Sequence, residues 1–402
     1  RNYAKFMKIA MLEPSDSQEC LDMTKDAYRL SEEFEVPVMI RMTTRVCHSK
    51  SLVTEGTRTE VAPVLYEKHP ERNDAIPAVS KVRRHIVEAR EEKLKAYSNA
   101  CPWNYEEMHD TKIGIVASGA AYMYAKDVFG DKASYFKVGL SYPMPVEKIR
   151  AFREKVDELY VIEELDPYME EILRTAGIDC HGKDVIPKID ELNPNIIAEA
   201  ILGTTREFND VPQDLLVPRP PTFCAGCPHR GFFYALSKRK DTVMIGDIGC
   251  YALGGADPLN AIDLAVCMGA AFSLGHGMSH AFEKSNQPKR VVSIMGDSTF
   301  FHTGINSLIE VAYNGSPTIN VILDNRITGM TGHQENPGTG YNIKGDTTSF
   351  IDIEAVVRAL GLKNIRIVNP LDLKAMNEAL DWAYAITDEP SVIITKWPCV
   401  LK

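Results

Sequence analysis

Apolar residues along this chain gather in short β-branched runs that alternate with stretches of helical period. The clearest instance lies between Val291 and Gln334. Val291–Met295 reads as a short strand that stops at Gly296-Asp297-Ser298. Phe301–Asn314 carries helix-spaced apolar residues, and Gly315-Ser316-Pro317 breaks it. Thr318–Leu323 reads as a second strand, ending in Asp324-Asn325 and a Gly/Thr loop. Such a βαβ unit sets polar groups at the carboxyl ends of both strands, where open parallel sheets hold ligands.

The same rhythm extends in both directions. Ile9–Leu12 and Val36–Arg41 read as strands around a helix capped by Ser15 or Asp16 and running to about Glu35. A polar, charged stretch follows, with one helix over about Val82–Tyr97. From Lys112, strands Ile113–Val116, Tyr135–Val138 and Leu159–Ile162 alternate with helices Ser118–Phe129, Val146–Lys155 and Tyr168–Ala176. Proline clusters between Pro212 and Pro221, which marks a boundary. Beyond it, Cys267–His276, Ile351–Leu360 and Asp372–Ala385 are predicted helical, and Ile365–Val368 and Ser391–Lys396 are predicted strands. The pattern predicts an α/β protein of several doubly wound, mostly parallel sheets. Its expected segments are 1–58, a linker with a helix at 59–110, a compact domain at 111–205, a proline-rich linker at 206–220 and a second domain at 221–402.

With 402 residues and 45% hydrophobic content, the chain can bury two or three cores. A net charge of −10 without any Lys/Arg block argues against nucleic acid as a partner. No apolar run approaches the roughly 18 residues of a spanning helix, and no signal peptide is visible. A soluble, cytoplasmic protein is expected. The chain begins at Arg1 and not at Met, so truncated ends are expected. Nine cysteines suit reduced thiols better than a disulfide framework, with Cys20, Cys47, Cys101, Cys180 and Cys267 as buried fillers.

Two groups of residues carry chemistry. Asp297 and Asn325, at adjacent strand tips, offer a carboxylate and an amide oxygen to a hard cation such as Mg²⁺. Gly296 and Ser298, beside a helix start, offer N–H groups to phosphate oxygens. A turn in which Asp297 merely caps a helix is the plainer reading; the second polar tip favours the ligand. The other group is Cys224-Ala225-Gly226-Cys227, with Cys250 in Ile-Gly-Cys and Cys399 near the chain's end. Spacing alone fits tetrahedral zinc and an iron–sulfur cluster equally.

Weaker candidates each have a structural explanation. Arg45 and His48 follow a strand end, and Arg83-Arg84-His85 suits a solvated helix face. Glu163-Glu164 suits a helix N-terminus as well as acid–base work. Ser118-Gly119 lacks a full Gly-x-Gly-x-x-Gly. His302, in the first turn after Asp297, is as well explained by capping as by proton transfer.

Gly-Asp-Ser, with Asn325 following 28 positions after Asp297, resembles the thiamine-diphosphate signature, although Ser298 stands where a third Gly is usual. Thr331-Gly332-His333-Gln334 is similar to the Thr-Gly-Gly-Gln of 2-oxoacid:ferredoxin oxidoreductases, which helps seat the diphosphate. Glu13–Glu19 and Arg41–Ser49 resemble the end of their pyrimidine-binding domain, which implies that the activating glutamate lies upstream of Arg1. Val161–Pro167 and Gly182–Leu192 resemble their transketolase-C-like domain. Within this family the chain most resembles the large subunits of the indolepyruvate:ferredoxin oxidoreductases. The resemblance implies Mg²⁺ held by Asp297, Asn325 and the Ile327 carbonyl, with Met268 and Gly269 along the cofactor ring. It also implies a 4Fe–4S cluster on Cys224, Cys227, Cys250 and Cys399. The implied reaction is oxidative decarboxylation of an arylpyruvate with coenzyme A, electrons passing to ferredoxin and a smaller β subunit completing a hetero-oligomer. Pyruvate, 2-oxoglutarate or branched-chain oxoacids are the alternative substrates. A zinc-stabilised thiamine-binding subunit without redox activity is the alternative function.

Overall fold

The computed structural model describes residues 1–204, 211–287 and 289–402. These cluster into two compact units, Arg1–Asp210 and Val211–Lys402. The boundary expected at 205–206 lies outside the described residues.

Among the described residues, the first unit holds seven strands: β1 (Ala10–Leu12), β2 (Val38–Ile40), β3 (Asn104–Glu107), β4 (Ile113–Ala117), β5 (Ser134–Val138), β6 (Leu140–Tyr142) and β7 (Glu158–Ile162). They form a three-stranded sheet in the order β2-β1-β6 and a four-stranded sheet in the order β3-β5-β4-β7. The expected helix after β1 is present at Ser17–Phe34, with Asp16 accepting from the Glu19 N–H as its cap. The charged helix runs from Pro77 to Ala100. Residues 1–58 and 111–204 share one core, since β6 pairs with β1 and Met11, Leu12, Met23 and Leu30 pack with Phe136, Phe152 and Val161. β3 escaped prediction because Asn-Tyr-Glu-Glu is a polar edge strand, antiparallel to β5. Thr44–His48, which follows the β2 strand, is a short helix.

The second unit is one parallel sheet in the order β11-β12-β10-β9-β8. Its strands are β8 (Thr242–Ile245), β9 (Arg290–Gly296), β10 (Ile319–Asp324), β11 (Asn364–Val368) and β12 (Ser391–Lys396). β10 is buried at every position, as a strand covered on both faces must be. Ile319, Val321 and Leu323 pack on one side with Phe232, Phe233, Met376 and Leu380; Ile322 packs on the other with Phe272, Leu308, Val311 and Val357.

Two helix starts differ from expectation. The helix predicted from Phe301 begins at Asp297, passes through a π turn at Phe300–Gly304 and continues as Ile305–Asn314. Single π turns concentrate at functional sites. The helix predicted from Cys267 begins only at Ala271 and runs to Lys284. Gly269 sits at φ +93°, which keeps 267–270 a turn. Among the described residues, no helix is long and apolar enough to cross a membrane.

Candidate functional site

Every strand of the second unit points the same way, so the polar tips gather at one edge. β8 runs into Asp247–Cys250, β9 into Asp297, β10 into Asn325 and β12 into Trp397–Cys399. Leu323 is paired with Gly296, which sets the tips of β9 and β10 side by side. The Trp397 N–H donates to the Asp324 carbonyl at 3.1 Å and the Cys399 N–H to the Asn325 carbonyl at 3.0 Å, so the chain after β12 continues along the turn after β10.

A cavity opens at this edge. Of the expected cofactor residues, Gly296, Asp297, Ser298, Asn325, Ile327, Thr331 and Met268 line it, together with Cys250 and His229. Gly269, Gly332 and His302 lie off its wall. His302 is exposed and its Nδ1 meets the neighbouring Thr303 hydroxyl at 2.9 Å. Thr331 and Gln334 bond to each other, Thr331 Oγ1 donating to Gln334 Oε1 at 2.6 Å. A Cβ on Gly296 would stand 2.7 Å from the Tyr251 ring, so glycine is needed where β9 enters the site.

Asp297 is only 2% exposed. Burial pushes its carboxyl up to about 7, Asp324 adds to the rise, and a bond from Asn336 opposes it. Asn336 Nδ2 donates to Asp297 Oδ2 at 3.0 Å. Asn325 is also buried; its Oδ1 accepts from the Ile327 N–H at 3.2 Å and its Nδ2 faces His229 Nε2 at 3.3 Å. A desolvated carboxylate, an amide oxygen and a loop carbonyl on one wall are the donor set a hard cation takes. The helix starting at Asp297 has first-turn N–H groups without intrahelical partners, suited to phosphate oxygens. Thr328 Oγ1 donates to Ser298 Oγ at 2.9 Å, which ties that start to the loop after β10. The residues present fit magnesium and a diphosphate.

All nine cysteines are free; of the five expected as buried fillers Cys101 and Cys180 are buried, whereas Cys20 is half-buried and Cys47 and Cys267 are exposed. The Cys227 thiol is pushed up to about 11 by burial and by Cys224, Cys399 and Cys250; that of Cys250 is raised by burial, Cys399 and Cys224. Cys224, Cys250 and Cys399 therefore lie close enough to Cys227 for their charges to act on its thiol. Among the described residues, no three His, Cys, Asp or Glu side chains close around one point as single-ion ligands would. A cluster spreads its thiolates more widely than one ion does, and its positive irons would reverse the repulsion that raises these thiols. The residues fit a cluster on these terms.

Three site residues had not been singled out. Asp247, fully buried, accepts from the Gly269 N–H at 2.9 Å and the Ala271 N–H at 3.2 Å, so it holds the Met268-Gly269 turn. Its Gly-Asp at a strand end is the same signal that marked Asp297. His229 follows Cys227-Pro228, and burial drops its imidazole to about 4, so it is neutral. Asn336 carries no local signal; a loop brings it back to Asp297.

The weaker candidates other than His302 lie in the first unit. Glu163 is buried and accepts from the Met169 and Glu170 N–H groups, as an acid at a helix start does. Ser118 Oγ donates to Glu13 Oε2 at 3.2 Å. Arg45 pairs with Glu191, and with Thr43, Thr44, His48 and Glu164 it lines a polar cleft. Arg84 pairs with Glu88 one turn on, on an exposed helix face.

Residues 247–395 match the thiamine pyrophosphate enzyme, C-terminal TPP binding domain. Three curated relatives align over the whole chain, each an indolepyruvate oxidoreductase subunit IorA. The Methanothermobacter thermautotrophicus protein is 37% identical over 430 residues and 68% of its length. That of Methanothermobacter marburgensis is 35% identical over 427 residues and 68% of its length. That of Thermococcus kodakarensis is 34% identical over 440 residues and 68% of its length. With the thiamine signature on two adjacent strand tips and this likeness along all of its residues, the chain belongs to the indolepyruvate oxidoreductase subunit IorA family of thiamine-diphosphate-dependent oxidoreductases.

Proposed function

We propose that this chain carries the thiamine diphosphate of an enzyme that oxidatively decarboxylates an arylpyruvate, with indolepyruvate as the type substrate. The observation that carries the reading is Asp297 and Asn325 on one cavity wall with Cys250 beside them. In the net reaction the C1–C2 bond of the oxoacid breaks and a C–S bond to coenzyme A forms. Carbon dioxide, one proton and two electrons leave, and ferredoxin is the oxidant. Thiamine diphosphate, when bound, supplies the electron sink that decarboxylation needs.

The chain's own residues do the rest. Asp297, the Asn325 amide and the Ile327 carbonyl hold Mg²⁺; Gly296, Ser298 and Thr331 seat the diphosphate. Met268 and Gly269, fixed by Asp247, border the ring. Cys224, Cys227, Cys250 and Cys399 hold a 4Fe–4S cluster, which has to stand close because each electron leaves singly. The likeness of the Cys-x-x-Cys, Ile-Gly-Cys and distal Cys to the family's cluster ligands supports a cluster over a single zinc ion. A smaller β subunit and ferredoxin are the protein partners. The segment 1–58 is the end of a pyrimidine-binding domain, and 111–205 is the transketolase-C-like part.

Anaerobic purification followed by metal analysis and cofactor mass spectrometry tests the site: magnesium, thiamine diphosphate and about four irons per chain are expected. Equimolar zinc without iron would sink the cluster. Viologen reduction with indolepyruvate, phenylpyruvate, pyruvate and 2-oxoglutarate tests the substrate, and the aryl acids should give the highest kcat/KM.

A further inference from the structure

Asn325 is held from three sides by the loops that carry the cysteines. Its backbone carbonyl accepts from the Cys399 N–H at 3.0 Å. Its Nδ2 meets His229 Nε2 at 3.3 Å. An amide NH₂ can only donate, so the imidazole accepts on a bare Nε2 and its proton sits on Nδ1. That bond turns Oδ1 the other way; Oδ1 accepts from the Ile327 N–H at 3.2 Å and is the oxygen assigned above to the cation. His229 stands two residues after Cys227 and opens the helix His229–Leu236, directly after a tight turn where the Cys227 N–H donates to the Cys224 carbonyl at 3.1 Å. On the third side, a Cβ on Gly329 would lie 3.4 Å from Cys250 Sγ, so the chain after Asn325 packs on that thiol.

The turn these clamps hold is strained. Arg326 has φ +55°, a conformation that costs a residue with a Cβ and persists only where its surroundings impose it. The Lys402 ammonium donates to the Arg326 carbonyl at 2.8 Å, which adds a fourth restraint from the segment after Cys399.

We propose that His229 is a positioning residue and that Asn325 is the joint between the two sites: filling the thiolate cage fixes the His229 and Cys399 loops, which aim the Asn325 oxygen and tighten Mg²⁺–thiamine diphosphate binding. The inference rests on the reading of both sites given above. Coupling of this kind is reciprocal, so bound cofactor also slows loss of iron.

The test is calorimetric titration of thiamine diphosphate with MgCl₂ into the full chain, purified anaerobically, with the cage filled and after iron is removed by chelation. Emptying the cage should weaken binding about tenfold, the scale of losses at residues that orient metal ligands. His229→Phe should bind about tenfold more weakly with the cage filled and lose most of the difference between filled and empty. His229→Gln, whose side-chain carbonyl accepts the same bond, should restore it. Equal affinity of the filled and emptied parent protein overturns the coupling while leaving both sites standing. So does a His229→Phe variant that behaves as the parent does. No magnesium-dependent binding by the filled parent protein overturns the underlying reading along with it.

Discussion

Asn336 Nδ2 donates to Asp297 Oδ2 at 3.0 Å, linking two residues 39 positions apart. The bond supplies the carboxylate with a hydrogen-bond donor where water is shut out. It offsets part of the burial that lifts Asp297 to about 7.

The first prediction concerns the cofactor-free protein. A carboxyl raised from 3.8 to about 7 costs nothing below 3.8 and imposes its full penalty above 7. Asp297→Asn should therefore stabilise the empty protein at pH 8, by up to about 4 kcal/mol at 1.36 kcal/mol per unit. It should also abolish magnesium-dependent thiamine diphosphate binding. Urea denaturation in EDTA at pH 5 and pH 8 measures the first effect, and a variant no more stable than the parent at pH 8 refutes it.

Cofactor binding should share this titration. Below about 7, Mg²⁺ has to displace a proton from Asp297, so affinity should rise about tenfold per pH unit and level off above it. Asn336→Ala removes the donor that holds the carboxyl down. Its plateau should begin at higher pH, with affinity at pH 7 lowered about tenfold or more. Calorimetric titrations from pH 5.5 to 8.5 give both curves.

His229 works in the opposite sense. Its imidazole falls from 6.5 to about 4 in the folded protein, so between those values the unfolded chain binds the extra proton. Its contribution is fully present above 6.5 and is lost as pH falls to 4, up to about 3 kcal/mol. In the parent protein this slope and that of Asp297 largely cancel between pH 4 and 6.5. His229→Phe should expose the falling Asp297 slope, and Asp297→Asn the rising His229 slope, in denaturation midpoints taken at half-unit steps.

Gly269→Ala should destabilise the second unit. The residue has φ +93° and its Cβ would overlap Thr303 Oγ1. A loss of about 1–3 kcal/mol is expected, as for other overpacked sites. Thr303→Ala combined with it should recover only part, because the backbone strain stays. Full recovery in a double-mutant cycle would refute the conformational half of this account.

Local pattern carried much of the site. Asp297 and Asn325 stood out because strand runs end abruptly in polar residues, and Cys224-x-x-Cys227 because two thiols three apart on a turn can chelate one ligand. The start of the helix after Gly296 was missed by four residues, since its first turn, Ser298-Thr299-Phe300, has no helical period of its own and is shaped by the π turn that follows. Asn336 and His229 were missed because neither is near its partner in sequence: Asn336 reaches Asp297 through a loop and His229 reaches Asn325 from the start of the helix His229–Leu236, and the course of both depends on packing.

The order of residues along this chain by itself determined the alternation of strands and helices, because a period of two or of 3.6 decides which face of a segment can be buried. It also determined which side chains could serve as oxygen or sulfur donors. Only the tertiary structure decided that four strand ends share one edge. Parallel pairing of β8, β9, β10 and β12 aligns their carboxyl ends, so Asp247, Asp297, Asn325 and Cys399 lie along one edge of the sheet although about 150 positions separate the first from the last.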